Sequence, residues 1–224
     1  MPAQAINYYR TRRPGPELEL EDTFLADTSG VLDCSKRWWF GGSLPLGAGL
    51  PDFLAVHYDG SLGSLEELGQ ESVEVLAYLR SVTHARLETV AERLQYPMDV
   101  TETTAGLLSH MGALESAGGN LTLTPTWRDV LPEVVAVEFK VSDWRRALSQ
   151  ATRNLLFAHR SFVAFPVEVA MRVRSAPEFA RYGVGVLALS DERPVTIVRR
   201  ERRSRPRSWR YYYELASHLV SSGV

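Results

Sequence analysis

A single cysteine, Cys34, is present in the 224 residues. That excludes a disulfide framework and any multi-cysteine zinc site, and points to a reducing, cytoplasmic setting. A lone cysteine of this kind reads as a small apolar filler. No apolar run approaches the roughly 20 residues needed to cross a bilayer. The opening stretch MPAQAINYYRTRRPGPELELE lacks the hydrophobic core of a secretory signal, so no export is expected. The glycine-rich stretch 41–49 lacks a Gly-Lys-Ser/Thr ending and is therefore no P-loop; it reads as a flexible loop or as a loop that approaches a ligand closely. His84 and His110 have no ligand spacing tying them to a metal site and read as surface residues. Lysine is also scarce: 23 of the 25 basic residues are arginine, and only Lys36 and Lys140 are lysine.

What is present suffices for a large core. Hydrophobic residues make up 45% of the chain and charged residues 23%, which excludes wholesale disorder. The net charge of −2 conceals an uneven distribution. Residues 1–140 hold 10 basic against 20 acidic residues, and residues 141–224 hold 15 against 7. The basic second half suits a polyanion or an acidic partner.

Hydrophobic periodicity divides the chain. Pro51–Tyr58 reads as a buried strand ended by an Asp59-Gly60 turn. Helical spacing follows, with a cap at Ser64-Leu65-Glu66-Glu67 and helices expected over 64–80, 85–94 and 99–117. Asn120–Pro125 alternates like a short ribbon. The strand period returns at Glu133–Val141, where Val135, Val137, Phe139 and Val141 share one face and Ala136, Glu138 and Lys140 the other. A helix capped by Ser142-Asp143 is expected to run to about 159. Strands at Ser161–Phe165, Gly183–Leu189 and Val195–Arg200 and helices at 167–174 and 209–220 complete the pattern.

Helix, helix, turn, helix and ribbon over 64–128 resemble a winged helix-turn-helix module. The organisation expected is therefore a first part of an α/β domain at 1–62, the insert at 63–130, and the second part of the α/β domain at 131–224. Residues 61–131 hold four arginines against ten acids, and the third helix of the insert carries no cation. Groove reading of DNA needs phosphate contacts, so the insert is expected to serve a protein partner, a homodimer or a lid instead.

The chemistry rests on Pro51-Asp52 and on Glu138-Phe139-Lys140. A Pro-Asp strand, then a Glu-x-Lys strand, then a helix carrying Gln150 and a following strand, resembles the PD-(D/E)xK nuclease superfamily. The resemblance covers about 50–59 and 132–190. It implies a restriction-endonuclease-like mixed β-sheet flanked by helices, here interrupted by the mainly helical winged-helix insert. It also implies Mg²⁺-dependent, or Mn²⁺-dependent, hydrolysis of phosphodiester bonds, with DNA the expected substrate. Asp52, Glu138 and the Phe139 carbonyl would hold the metal, Lys140 would orient or activate the water, and Gln150 would position the water or a phosphate. Carboxylates suit a hard cation, and lysine's compact ammonium suits the last role better than arginine does. Many members add a glutamate from an N-terminal helix. Glu17, Glu19 and Glu21 are candidates, although the ELELE alternation reads as strand. A catalytically inactive scaffold that binds nucleic acid, or regulates through the insert, is the alternative.

For polyanion contact, Arg146, Arg153 and Arg160 recur every seven residues along the helix expected after Lys140. Arg199, Arg200, Arg202, Arg203, Arg205 and Arg207 form a nearly continuous run beside Trp209 and Tyr211–Tyr213. Such a cluster suits phosphate contacts and base stacking, or equally a solvated basic face with its aromatics in the core.

Overall fold

Alternating apolar residues at 133–139 and 160–166 place a buried sheet at the centre of the computed structural model, which describes residues 6–58 and 68–221. The expected Asp59-Gly60 turn and Ser64–Glu67 cap lie outside the described residues. In chain order the elements are β1 (Ile6–Tyr8), α1 (Pro16–Ala26), β2 (Trp38–Gly42), β3 (Phe53–His57), α2 (Gln70–Ser81), β4 (Ala85–Arg86), α3 (Leu87–Leu94) and α4 (Met98–His110). There follow β5 (Leu114–Ala117), β6 (Asn120–Leu123), α5 (Pro125–Arg128), β7 (Glu133–Phe139), α6 (Trp144–Asn154) and β8 (Arg160–Pro166). The chain ends with α7 (Val167–Val173), α8 (Pro177–Tyr182), β9 (Gly185–Leu189), β10 (Thr196–Arg199) and α9 (Trp209–Ser221).

The elements fall into two compact units, Met1–His57 with Glu133–Pro206, and Tyr58–Pro132 with Arg207–Val224. The first is a mixed α/β unit. Its described strands form a seven-stranded sheet in the order β1-β2-β3-β7-β8-β9-β10. Strands β2, β3 and β7 run antiparallel in sequence, and β7, β8 and β9 run parallel. Side chains of opposite parity along each strand feed separate cores. Phe53, Val135, Val137, Phe139 and Phe162 pack with Phe24 of α1 on one face. Val163, Phe165 and Val186 pack with Ala147, Leu148, Ala151 and Leu155 of α6 on the other.

At the start of β7 a buried polar knot interrupts this apolar packing. Glu133 takes Lys36 Nζ at 2.7 Å and Arg160 Nη1 at 3.2 Å. Arg160 also donates to Glu201 at 2.6 Å and to the Val31 carbonyl at 2.9 Å.

The second unit holds α2, α3 and α4 beside a small antiparallel sheet of order β4-β6-β5. Helix α9 belongs here and not, as the sequence suggests, to the seven-stranded unit. Two buried tyrosines fasten it. Tyr212 Oη accepts from the Leu131 N–H at 2.7 Å, and Tyr213 Oη donates to the Trp127 carbonyl at 2.8 Å. The stretch 68–132 thus depends on α9 to cover its apolar surface.

Several boundaries differ from those read off the pattern. Residues 16–26 are helix, with Pro16 in the first turn where its missing N–H costs nothing. The helix expected over 99–117 stops at His110, because Gly112 adopts φ 71° and turns the chain into β5. The helix expected to reach 159 stops at Asn154, so Arg160 opens a strand. Strands β1 and β2 and helix α8 were not legible.

Candidate active site

The antiparallel register of β3 on β7 pairs Phe53 with Val137 and Leu54 with Ala136. Continued by one residue, it sets Asp52 abreast of Glu138. Two residues whose positions lie 86 apart are thereby brought to neighbouring strands at one end of the sheet. Period two then puts Lys140 on the Glu138 side, where the strand hydrogen bonding runs on through Lys140 N–H to the Ala164 carbonyl at 3.1 Å.

Hydrogen bonds fix each group. Asp52 Oδ2 accepts from the Phe139 N–H at 2.9 Å. Lys140 Nζ lies 2.7 Å from the Phe139 carbonyl, 3.4 Å from Asp52 Oδ2 and 3.2 Å from Glu17. Glu17, offered by the sequence only as one of three candidates, reaches the site because 16–26 are helical. Its neighbours diverge: Glu21 is bonded to the Tyr8 hydroxyl and lies 3.5 Å from Arg12, while Glu19 is exposed.

Glu138 is 1% exposed, and its carboxyl is held well above the ordinary carboxylate range. Burial is the main cause, and the charge of Asp52, within hydrogen-bonding reach, is the next. Asn154 Nδ2 donates to Glu138 Oε1 at 2.7 Å, whereas Glu138 Oε2 is buried with no hydrogen-bond partner among the described residues. Asn154 was not singled out from the sequence, yet it lies one helical turn beyond Gln150 and so shares its face of α6. Gln150 itself makes no hydrogen bond to the acids among the described residues, and its Oε1 is buried with no partner among them.

Two adjacent carboxyl groups and an unsatisfied buried oxygen suit a hard cation with oxygen ligands. Against a preformed cage, no group of three or more acidic, histidine or cysteine ligands gathers among the described residues. The Phe139 carbonyl, expected as a metal ligand, is bonded to the Lys140 ammonium instead.

Two small clefts flank the Lys140–Glu17 pair. One, of about 190 Å³, is lined by Lys140, Glu17, Ser142, Asp143 and Arg146. The other, of about 170 Å³, reaches Asp52 and the Phe139 backbone strand from the side of β1 and α1.

The arginines sort unevenly. Arg146 and Arg153 are exposed on α6, and Arg200, Arg202, Arg203, Arg205 and Arg207 are exposed along an extended segment. Arg160 leaves the expected helical stripe: it stands in β8, paired with Glu133 and Glu201 and therefore committed to the fold. Arg199 donates to the Arg174 carbonyl. Cys34 is exposed rather than packed as an apolar filler.

No family model, curated protein or solved structure matches this chain. No described helix is long and apolar enough to cross a membrane.

Proposed function

We propose that this protein is a divalent-metal-dependent nuclease of the PD-(D/E)xK type, acting on DNA. The observation that carries the reading is the convergence of Asp52, Glu138 and Lys140 at one end of β3 and β7. The succession of a Pro-Asp strand, a Glu-x-Lys strand, a helix and a parallel strand supports a restriction-endonuclease-like sheet. In the second unit, α2, β4, α3, α4 and a hairpin, with β6 between β4 and β5, support the winged-helix reading.

Bound between Asp52 and Glu138, Mg²⁺ would lower the pKa of a coordinated water and offset charge on the phosphate oxygens. The chain's own groups do the rest. Asn154 orients the Glu138 carboxylate by its 2.7 Å hydrogen bond, so that one oxygen is fixed and the other is left to bind. The Phe139 N–H holds Asp52 in the same way. Lys140 presents an ammonium at the acids, able to orient an attacking water or to stabilise the crowded phosphate. Arg146, beside Lys140 in the 190 Å³ cleft, supplies a cation for the polynucleotide backbone.

The decisive assay incubates purified protein with single- and double-stranded DNA and with RNA, in Mg²⁺ or Mn²⁺, beside Lys140→Ala. Metal-dependent cleavage that disappears in the variant supports the proposal. Absence of cleavage, or equal cleavage by both proteins, overturns it.

One observation favours a second reading, a non-catalytic scaffold: the Lys140 ammonium already engages the Phe139 carbonyl and both Glu17 and Asp52. Under that reading neither Mg²⁺ nor Mn²⁺ raises the melting temperature.

A further inference from the structure

Asp52, Glu138 and Lys140 gather where β7 ends, but a dense positive surface of the same unit lies where β7 begins. The Arg202 N–H donates to the Gly183 carbonyl at 3.0 Å and the Ser204 N–H to the His159 carbonyl at 2.9 Å. The extended stretch after β10 therefore crosses the entrances of β9 and β8. Helix α6 returns to this end with Arg153 in its last turn, and α8 with Arg181. The seven residues of β7, roughly 20 Å of strand, separate it from Lys140.

Arg153, Arg181, Arg200, Arg202 and Arg205 are all exposed here. The inward acids of this end are already neutralised, Glu133 by Lys36 and Arg160, and Glu201 by Arg160. Exposed Glu178, in the first turn of α8, offsets one of the five arginines.

An aromatic ring sits among these cations. Tyr182 ends α8 and is 36% exposed. The Arg181 guanidinium lies 5.7 Å from its ring centroid. The next residue, Gly183, adopts φ 78°, and the Arg202 side chain lies over it: a Cβ there would meet Arg202 Nε at 3.3 Å. Glycine thus lets Arg202 settle against the residue that follows Tyr182, and one ring shares a patch with two guanidiniums.

Guanidinium forks match phosphate oxygens, and an exposed ring offers its face to an unpaired base. A duplex can use the charges but not the ring, because its bases are already stacked on one another. An acidic peptide has no base to offer. The tyrosine therefore favours a single polynucleotide strand over other polyanions.

We propose that this surface is an accessory site for single-stranded DNA, in which a base stacks on Tyr182 while Arg181 and Arg202 contact the flanking phosphates. The choice of DNA rests on the nuclease reading, which the site deepens by naming the strand state of the substrate. Binding here needs neither metal nor cleavage, so the two are tested apart.

The test measures fluorescence anisotropy of labelled oligothymidylate and of a labelled duplex of the same length, in EDTA. Tyr182→Ala, Tyr182→Phe and Arg202→Ala are compared with wild type and with Arg193→Ala, an exposed arginine of the β9–β10 turn at the other end of the sheet. Tyr182→Ala should weaken single-strand binding roughly tenfold without changing its salt slope, and leave the duplex unaffected. Arg202→Ala should lower the single-strand slope by about 0.7, the contribution of one phosphate contact. Tyr182→Phe and Arg193→Ala should bind like wild type. Circular dichroism melts establish that each variant is folded. If Tyr182→Ala binds oligothymidylate like wild type, or if Tyr182→Phe loses as much as Tyr182→Ala, the stacking site is wrong. Equal losses on single strand and duplex, or no binding of either, overturn it as well. In each of these cases Lys140-dependent cleavage still decides the nuclease. Single-strand binding that behaves as expected, with no cleavage under any divalent cation, overturns the nuclease and leaves the DNA surface standing.

Discussion

The Phe139 N–H donates to Asp52 Oδ2 across 2.9 Å, tying the residue that precedes β3 to the middle of the Glu-x-Lys triplet on β7. Asp52 therefore has two roles, as a charge at the site and as the acceptor that extends the β3–β7 pairing at the strand end. They are separable. Asp52→Asn keeps an acceptor oxygen but removes the charge; it should abolish cleavage while moving the melting temperature little. Asp52→Ala also orphans the Phe139 N–H and should cost a further 1–3 kcal/mol, roughly. Equal melting temperatures for the two variants would show that the hydrogen bond contributes nothing to the fold.

Lys140 gives a prediction of opposite sign for stability and metal binding. Its ammonium lies within 3.4 Å of Asp52 and within 3.2 Å of Glu17, and so offsets their mutual repulsion in metal-free protein. Lys140→Ala should melt below wild type without metal and recover part of the loss on adding Ca²⁺ or Mg²⁺. The metal-induced rise in melting temperature should thus exceed that of wild type, because binding to the folded state alone adds stability by mass action. A smaller rise would mean that the ammonium assists the cation rather than standing in for it.

How legible the site was depended on whether a partner lay along the strand pattern or across the fold. Period two at 133–141 located Glu138 and Lys140 on one face, and the apolar Pro51–Tyr58 run located Asp52 at a strand entrance; the register then brought them together. ELELE misled because Leu18 and Leu20 alternate like strand residues. The helical face shows only when Glu21, Phe24 and Leu25 are counted, and Phe24 is the residue that fills the core. Nothing local could reveal that Glu17 meets Lys140. The seven-residue arginine repeat failed at Arg160 for a different reason: a stripe has meaning only while the helix lasts, and α6 ends at Asn154. Likewise α9 carries apolar residues that fit either unit, and its contacts across the fold decide between them: Tyr213 and Tyr212 with Trp127 and Leu131, and Arg210 with Glu74.

The polar knot at the other end of β7 makes stability depend on pH. Burial raises the Glu133 carboxyl, but hydrogen bonds and charges from Lys36 and Arg160 outweigh it, and the group is held below its ordinary value of 4.5. An acid with a depressed folded pKa contributes its stabilisation above the unfolded value and loses it as pH falls through the folded one. Glu133→Gln should therefore be less stable than wild type near neutrality, leaving Arg160 without one of its two carboxylates. The gap should close progressively below pH 4.5. Chemical denaturation from pH 7 to pH 3 measures it; a gap that stays constant over that range would show that the charge of Glu133 is not what holds the knot.

Asn154 offers the sharpest separation of site from scaffold, since its amide donates to Glu138 Oε1 at 2.7 Å while the other oxygen of that carboxyl has no partner. Asn154→Leu keeps the side chain's approximate volume and removes the donor, leaving both Glu138 oxygens unsatisfied in a buried place. Ionised Glu138 would then lose the amide that stabilises it, and the carboxyl should be pushed still higher than burial and Asp52 already push it. Cleavage should consequently need more Mg²⁺ and a higher pH, by tenfold or more in metal, roughly, as for other outer-shell partners of metal-binding carboxylates. Asn154→Asp tests the same contact from the other side, by setting a third acid against Glu138 and Asp52; it should depress activity further while strengthening the response of the melting temperature to divalent cations. Wild-type metal dependence in Asn154→Leu would mean that Glu138 does not bind the metal through a carboxylate oriented from α6.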